Sequence, residues 1–413
     1  MLSFAFIVLT FFTAAPAPDP IPALAEAAIA GDSSAVDKLR ALGPDGFDRL
    51  LKLRLELSSV PTPSLLIDPA HADSPGAKWD ALIDRVARQR YAGFSGLYWY
   101  TDLAAAKARA KATGRPILSL RLLGDLDEDF SCANSRFFRT MLYPDPTIAK
   151  ALHDGWVLHW ESVRKAPKIT IDLGDGKTIV RTITGNSMHL ALTSDGAVVD
   201  LEPGLVGPVT FATWLASAAS LAKDVGKLSP AARRAALQRY HESDLSQRLT
   251  RWWEAVRAVR PTVPRERAAL AAATSEDVLG RLAATRPVRF SETVESLLTT
   301  LMVAQRRATG ESPRDLLLAF RAAPVAVTKL ATERPMLRMV APVEGTLARD
   351  EVQNDLVVKS QIQELFAATP DRPIDDLVRL VYAEVFLTPL DDPWMGLAPA
   401  DVFTGLPAAL ERP

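Results

Sequence analysis

Between residues 24 and 57 apolar positions recur every three to four residues, with a break at Gly43-Pro44, and this spacing predicts a small helical unit. A Pro- and Ser-rich stretch over 58–75 separates it from a further helical pattern at 79–90. From Tyr98 the pattern changes. WYTDLAAAKARAKATGRP reads as a helix capped at Thr101 or Asp102 and stopped at Gly114, and ILSLRLL directly after it suits a buried strand. A second helix is expected from a cap at Ser131 or Asp129 through Leu142, ended by Pro144. Asp145-Pro146 then restarts a turn carrying Ile148 and Leu152, before WVLHWESV, which reads as a strand. Two β-branched runs around Gly174-Asp175-Gly176 predict a hairpin, and LALT and AVVDL around Ser194-Asp195-Gly196 predict another. Residues 208–222 close this region as a helix with Phe211, Leu215 and Leu221 on one face. Beyond Lys223 strand signals fade, and helices are expected at 230–241, 245–259, 265–285, 291–308, 314–321, 357–368 and 375–386. No fixed period supports a solenoid.

The predicted fold class is therefore α/β: a mixed sheet in the middle of the chain, flanked by a helical N-terminal segment and a mostly α-helical C-terminal region. The expected division is 19–90, 91–224 and 225–413. At 413 residues the chain is long enough for two or three folding units. Its formal net charge of -1 supplies no global field for nucleic acid or an anionic membrane. The apolar run from Leu2 to Phe12, closing on small residues, reads as a secretory signal over 1–18, although no Lys or Arg precedes it and Pro16 and Pro18 crowd the cleavage region. The expectation is an exported protein, periplasmic or extracellular, with an uncleaved N-terminal tether as the alternative. No other segment is long and apolar enough to span a membrane. Only one cysteine is present, so no disulfide can form within the chain.

That cysteine sits in LLGDLDEDFSCANSRFFRTML, after four carboxylates and at the start of a helical pattern. Helix, strand, helix beginning at a cysteine, strand, hairpin and helix follow one another over 98–222, an order that resembles the thioredoxin fold. The likeness is carried by GRPILSL as the first core strand, by Cys132-Ala133-Asn134-Ser135 and by MHLALTSDGAVVDLEPG as the last hairpin, and it covers about the middle third of the chain. The resemblance implies that Cys132 is an attacking thiol and that Ser135 takes the place of the resolving cysteine. It also puts Met188, next to Ser187, where the family carries a cis-proline beside its substrate. With CxxS the implied chemistry is one-thiol exchange: Cys132 attacks a disulfide, and an external thiol must release the mixed product. Asp125, Asp127, Glu128 and Asp129 disfavour a thiolate, and Arg136 and Arg139 favour one if they fold back. The other reading keeps Cys132 as a small buried hydrophobe in a binding or scaffold protein that recognises a partner through its helical C-terminal half.

Further candidates carry less. Asp125, Asp127 and Asp129 have the spacing of the first three ligands of a calcium loop, but Phe130 and Arg136 stand where glycine and glutamate are needed. Gly176-Lys177-Thr178 ends like a phosphate loop yet lacks its earlier glycine. The five histidines have no metal-site spacing, and His159 and His189, in expected strands, could approach Cys132 as a base. No metal or cofactor is expected. Trp252 and Trp253 with Arg248, Arg251 and Arg257 read as a core tryptophan beside an interface one, and Trp394 as the anchor of a Pro-rich loop.

Overall fold

The computed structural model describes residues 19–57, 75–182, 185–263, 275–291 and 344–393. The signal segment expected at 1–18, nearly all of the Pro- and Ser-rich stretch, the first half of the helix expected at 265–285, almost all of those expected at 291–308 and 314–321, and Trp394 lie outside those residues.

Four helices build the N-terminal unit: α1 (Ile21–Ile29), α2 (Ser33–Ala41), α3 (Gly43–Leu57) and α4 (Pro75–Ala87). The break at Gly43 is present, with φ +67°, but Gly31 at φ +107° makes an earlier one, and Asp32 caps α2 by accepting from Ser34 N–H at 2.8 Å. Ile21, Phe47, Leu50, Leu82, Ile83 and Val86 form a buried core of their own. A short turn of helix, α5 (Ala92–Ser95), leads to Tyr100, which bridges in parallel to His159.

Asp102 caps α6 (Leu103–Thr113) through Ala104 N–H, and Gly114 ends it at φ +67°. The chain then enters β1 (Ile117–Leu123), whose seven residues are all buried. After β1 come α7 (Ala133–Phe137), a π-helical turn at Phe138–Leu142, α8 (Pro146–Gly155) and β2 (Val157–Arg164). A separate two-stranded ribbon, β3 (Lys168–Asp172) and β4 (Thr178–Thr182), precedes β5 (Ser187–Leu192), β6 (Val198–Pro203) and α9 (Pro208–Val225). The main sheet has the order β2-β1-β5-β6, with β1 and β2 parallel and the other pairs antiparallel. Both predicted hairpins are present, and the molecule is mixed α/β. One expectation changes at the entry to α7: its cap is neither Ser131 nor Asp129 but Cys132, whose sulfur accepts from Ser135 N–H at 3.4 Å.

The two helices expected at 230–241 and 245–259 are one, α10 (Pro230–Val259), 30 residues long. Ser243 and Asp244 would suit a cap, but no Gly or Pro interrupts the run. Both side chains are instead taken up one helical turn on, by Gln247 and Arg248. Beyond α11 (Glu276–Thr285) the described chain resumes at 344 and runs as a helix through a π-helical stretch at Asn354–Val358 into α12 (Lys359–Ala368). Then α13 (Ile374–Leu380) ends in a π-helical turn at Val381–Val385. Ile362, Phe366, Leu377, Val378, Val381 and Tyr382 are buried in the same core as the central sheet, so these helices are continuous with it.

A charged group sits inside that docking surface. Lys359 is wholly buried and reaches Asp200 Oδ1 at 3.0 Å, Glu202 Oε2 at 3.2 Å and the carbonyl of Leu201. Trp214 Nε1 donates to Asp200 Oδ2 at 2.8 Å, and Gln363 donates to Oδ1. Burial works to raise Asp200, but Lys359 and His241 outweigh it and hold that carboxyl below its usual range. For Glu202 burial prevails and pushes the carboxyl up. Lys359 and Gln363 share a helix face with Leu356, Ile362 and Phe366, so the interface combines apolar packing with one buried ion group.

Candidate functional site at the carboxyl end of the sheet

Strand β1 and the loop after it position Cys132. Gly124, at φ +72°, turns the chain; a Cβ there would lie 3.1 Å from the Ser131 backbone, so the close return of the loop needs glycine. Arg139, 2% exposed, reaches back from the π-helical turn and donates to the carbonyls of Leu126, Glu128 and Asp129 and to Ser131 Oγ. Four acceptors on one guanidinium tie the acidic loop down. Asp127 pairs with Arg88 at 3.1 Å and Asp129 with Arg90 at 2.9 Å. The run DLDED thus ends in ion pairs and backbone satisfaction. Among the described residues no group of three His, Cys, Asp or Glu side chains is placed to hold a metal ion.

Cys132 is completely buried. Burial pushes its thiol up, against the lowering effect of the Ser135 and Asn134 backbone N–H groups. Tyr143 and Tyr382 stand close enough that a charge on the sulfur would raise both phenols, each already pushed up by its own burial. Tyr382 comes from the C-terminal helices, so part of the buried core around the sulfur is supplied from 250 residues down the chain.

The other expected site residues are also brought to this place, and none has an open face. Ser135 is buried, with its hydroxyl on Ser131 Oγ and the carbonyl of Cys132 at 3.2 Å and its backbone N–H donating to the sulfur. Ser187 and Met188 are buried at the start of β5; Ser187 accepts from Asn134 Nδ2 at 3.1 Å, and Met188 pairs with Arg121 across the ladder. No peptide bond among the described residues is cis. Arg136 turns to Thr182 Oγ1 at 3.1 Å. The two histidines have other partners: His159 shares a hydrogen bond with Ser119 at 2.8 Å, and His189 with the Tyr143 hydroxyl at 2.8 Å. Burial lowers each to about 3, which leaves both neutral.

Beside the Cys132 end of α7 lies an open cleft of about 480 Å³. One wall is Ala133, Asn134, Thr182, Gly185, Asn186, Gly204 and Leu205; the other is Asp350, Gln353, Asn354, Val358, Val385 and Phe386 from the C-terminal helices. Cys132 does not line it. Several of its amides are anchored: Asn186 donates to Thr388 Oγ1 at 2.8 Å and Asn354 to the carbonyl of Leu205 at 2.7 Å. Gly185 and Gly204 approach so closely that a Cβ would lie 2.8 Å from Asn134 Oδ1 and 2.7 Å from Asn354 Nδ2. Such a surface offers amide donors and acceptors beside Phe386 and Val358, with one carboxyl, Asp350, that burial pushes up.

Sequence reasoning missed this second wall. The legible signal nearby is the spacing Leu356, Lys359, Gln363, Phe366, which marks the face by which the same helix docks on β6, not the cleft wall itself. No helix among the described residues is long and apolar enough to cross a membrane. Comparison with known proteins finds no matching family, no matching curated protein and no matching solved structure.

Proposed function

We propose that this chain is a thioredoxin-like protein in which the central domain serves as a binding scaffold and Cys132 is structural. Support for the fold comes from the strand order β2-β1-β5-β6, the extra parallel bridge from Tyr100 to β2, the helix that begins at Cys132 and the closing helix α9. A ribbon, β3 and β4, stands where that fold has a helix between its second parallel strand and the antiparallel pair.

One observation carries the functional half. The Cys132 sulfur is wholly buried, accepts a helix-capping N–H and is raised by its surroundings. Disulfide exchange needs a thiolate that can reach its target; burial denies both, and the capping N–H, which alone would favour the thiolate, does not offset it. The ligand surface is then the cleft beside it, half of which the C-terminal helices build. Its mixture of fixed amides with Phe386 and Val358 suits an extended peptide segment of a partner protein, whose main chain pairs with amides while one apolar side chain meets the phenyl ring.

Alkylation of Cys132 against pH tests the catalytic half. In folded protein we expect negligible labelling at pH 8 and rapid labelling once denaturant is added. Fast native labelling with a midpoint well below about 8.5 would restore the monothiol exchange reading. The binding half is tested by screening extended peptides against the wild type and Phe386→Ala, where binding should weaken about tenfold or more. Equal retention of the peptides that bind would remove the cleft from the proposal.

A further inference from the structure

Strand β3 buries none of its residues, and Ile169, Ile171 and Leu173 are 43%, 47% and 54% open to solvent. Its single ladder is with β4, and a two-stranded ribbon alone in water is marginal. An exposed edge with isoleucines at alternate positions is a template for another strand.

The register says what that strand can be. Leu173 N–H donates to the carbonyl of Lys177 at 3.0 Å, and the pairs above it are Ile171 with Ile179 and Ile169 with Arg181. Backbone groups alternate in direction along a strand, so residues 169, 171 and 173 bond to β4. Lys168, Thr170 and Asp172 therefore turn their N–H and C=O groups to the outer edge. The outward sequence is self-complementary. If a second copy of Lys168–Asp172 lies antiparallel about Thr170, then Lys168 meets Asp172 of the other copy, threonine meets threonine, and Ile169 meets Ile171 in the close, non-bonded pairs. Every outward backbone group finds a partner in the same register, and the two charges alternate in sign as the pairing requires. Strand β4, Thr178–Thr182, has no such symmetry: turned about Val180 it sets Ile179 against Arg181. Only one oxygen of Asp172 is engaged locally, Oδ1 accepting from Gly174 N–H at 2.9 Å.

We propose that this protein self-associates as a two-fold dimer through the outer edge of β3, forming a four-stranded sheet β4-β3-β3-β4 across the two copies. The interface is isologous, with each lysine on the other chain's aspartate. It is independent of the cleft and of any thiol chemistry.

Sedimentation equilibrium over about 1–200 μM tests it on the full chain. The wild type should show a monomer–dimer equilibrium in that range. Thr170→Pro removes one outward N–H and leaves the β4 ladder untouched, so it should give a monomer with an unchanged melting temperature. K168E and D172K should each weaken association roughly tenfold by placing like charges opposite one another. An equimolar mixture of K168E and D172K should recover it, because each lysine in the mixed dimer again faces a carboxylate. The mixing result does not depend on how well either variant packs its own turn. A wild type monomeric to 200 μM overturns the proposal, and so does a dimer indifferent to Thr170→Pro and to the charge reversals. Protection of the Thr170 amide from hydrogen exchange in a monomer would place another segment of this chain on the edge, and would also overturn it.

Discussion

Cys132 illustrates how position and environment separate at a single residue. Its place before a helix offers backbone N–H groups that favour a thiolate, yet total burial prevails and the thiol is raised. His189 follows the same physics with the opposite sign. It lies 4.6 Å from the Phe138 ring and 4.8 Å from that of Phe211, one ring nitrogen has no partner, and burial lowers it to about 3. His159 is lowered to about 3 as well. A histidine with a depressed folded pKa gives stability that is fully present above about 6.5 and is lost as pH falls towards 3. Asp84, raised to about 6 by burial, works the other way and gives stability that is lost as pH rises through 6. The two histidines outweigh it below pH 6. Urea unfolding should show stability dropping by a few kcal/mol between pH 7 and pH 4.5, and His189→Phe should remove most of that fall, because Asp84 offsets much of what His159 alone would lose. An unchanged slope in His189→Phe would mean that His189 is protonated in the folded protein.

At the scale of elements, the loop before α7 and the C-terminal helices are both held by buried cations, for different reasons. Arg139 satisfies backbone carbonyls of an irregular loop, whereas Lys359 neutralises two carboxylates brought in by β6. Removing a cation from a buried group costs more than the pair itself contributes, because the anions stay behind. Lys359→Ala should therefore destabilise by about 3–5 kcal/mol in urea titrations. Lys359→Met with Asp200→Asn and Glu202→Gln should recover much of that loss. If the triple variant is no better than Lys359→Ala, the lysine acts through packing, not charge. Strands and hairpins were the legible elements, with some helix bounds, because glycine turns and alternating apolar residues are local signals. Asp102 and Gly114 bound α6 as expected. The continuity of α10 was not legible, since the polar residues at 242–244 suit a cap as well as a solvated turn of helix.

Across the whole molecule, the helices after residue 344 complete the central core and cover the end of the sheet where Cys132 lies. Tyr382 connects the two roles: it is buried, it neighbours the sulfur, and its hydroxyl donates to the Asn186 carbonyl at 3.0 Å. Tyr382→Ala should cost about 3–5 kcal/mol and raise native alkylation of Cys132. Phe47→Ala, in the separate N-terminal core, provides a control of comparable destabilisation, and its labelling should rise much less. Equal labelling in the two variants would indicate access by global unfolding and remove Tyr382 as the cover.

The meeting of Cys132, Ser135, Ser187 and Met188 at one end of the sheet was implied by the resemblance to the thioredoxin fold, while local pattern alone determined the α/β class, the order of elements through the middle third and both hairpins. These follow from short-range signals: apolar periodicity, turn glycines and capping side chains. Tertiary structure alone decided that all four are closed to solvent, that the acidic run pairs with Arg88 and Arg90, and that Asn354 and Phe386 form the far wall of a cleft. Burial and pairing are set by what packs around a residue from far along the chain, and in this protein residues 132 and 382 lie in one buried core.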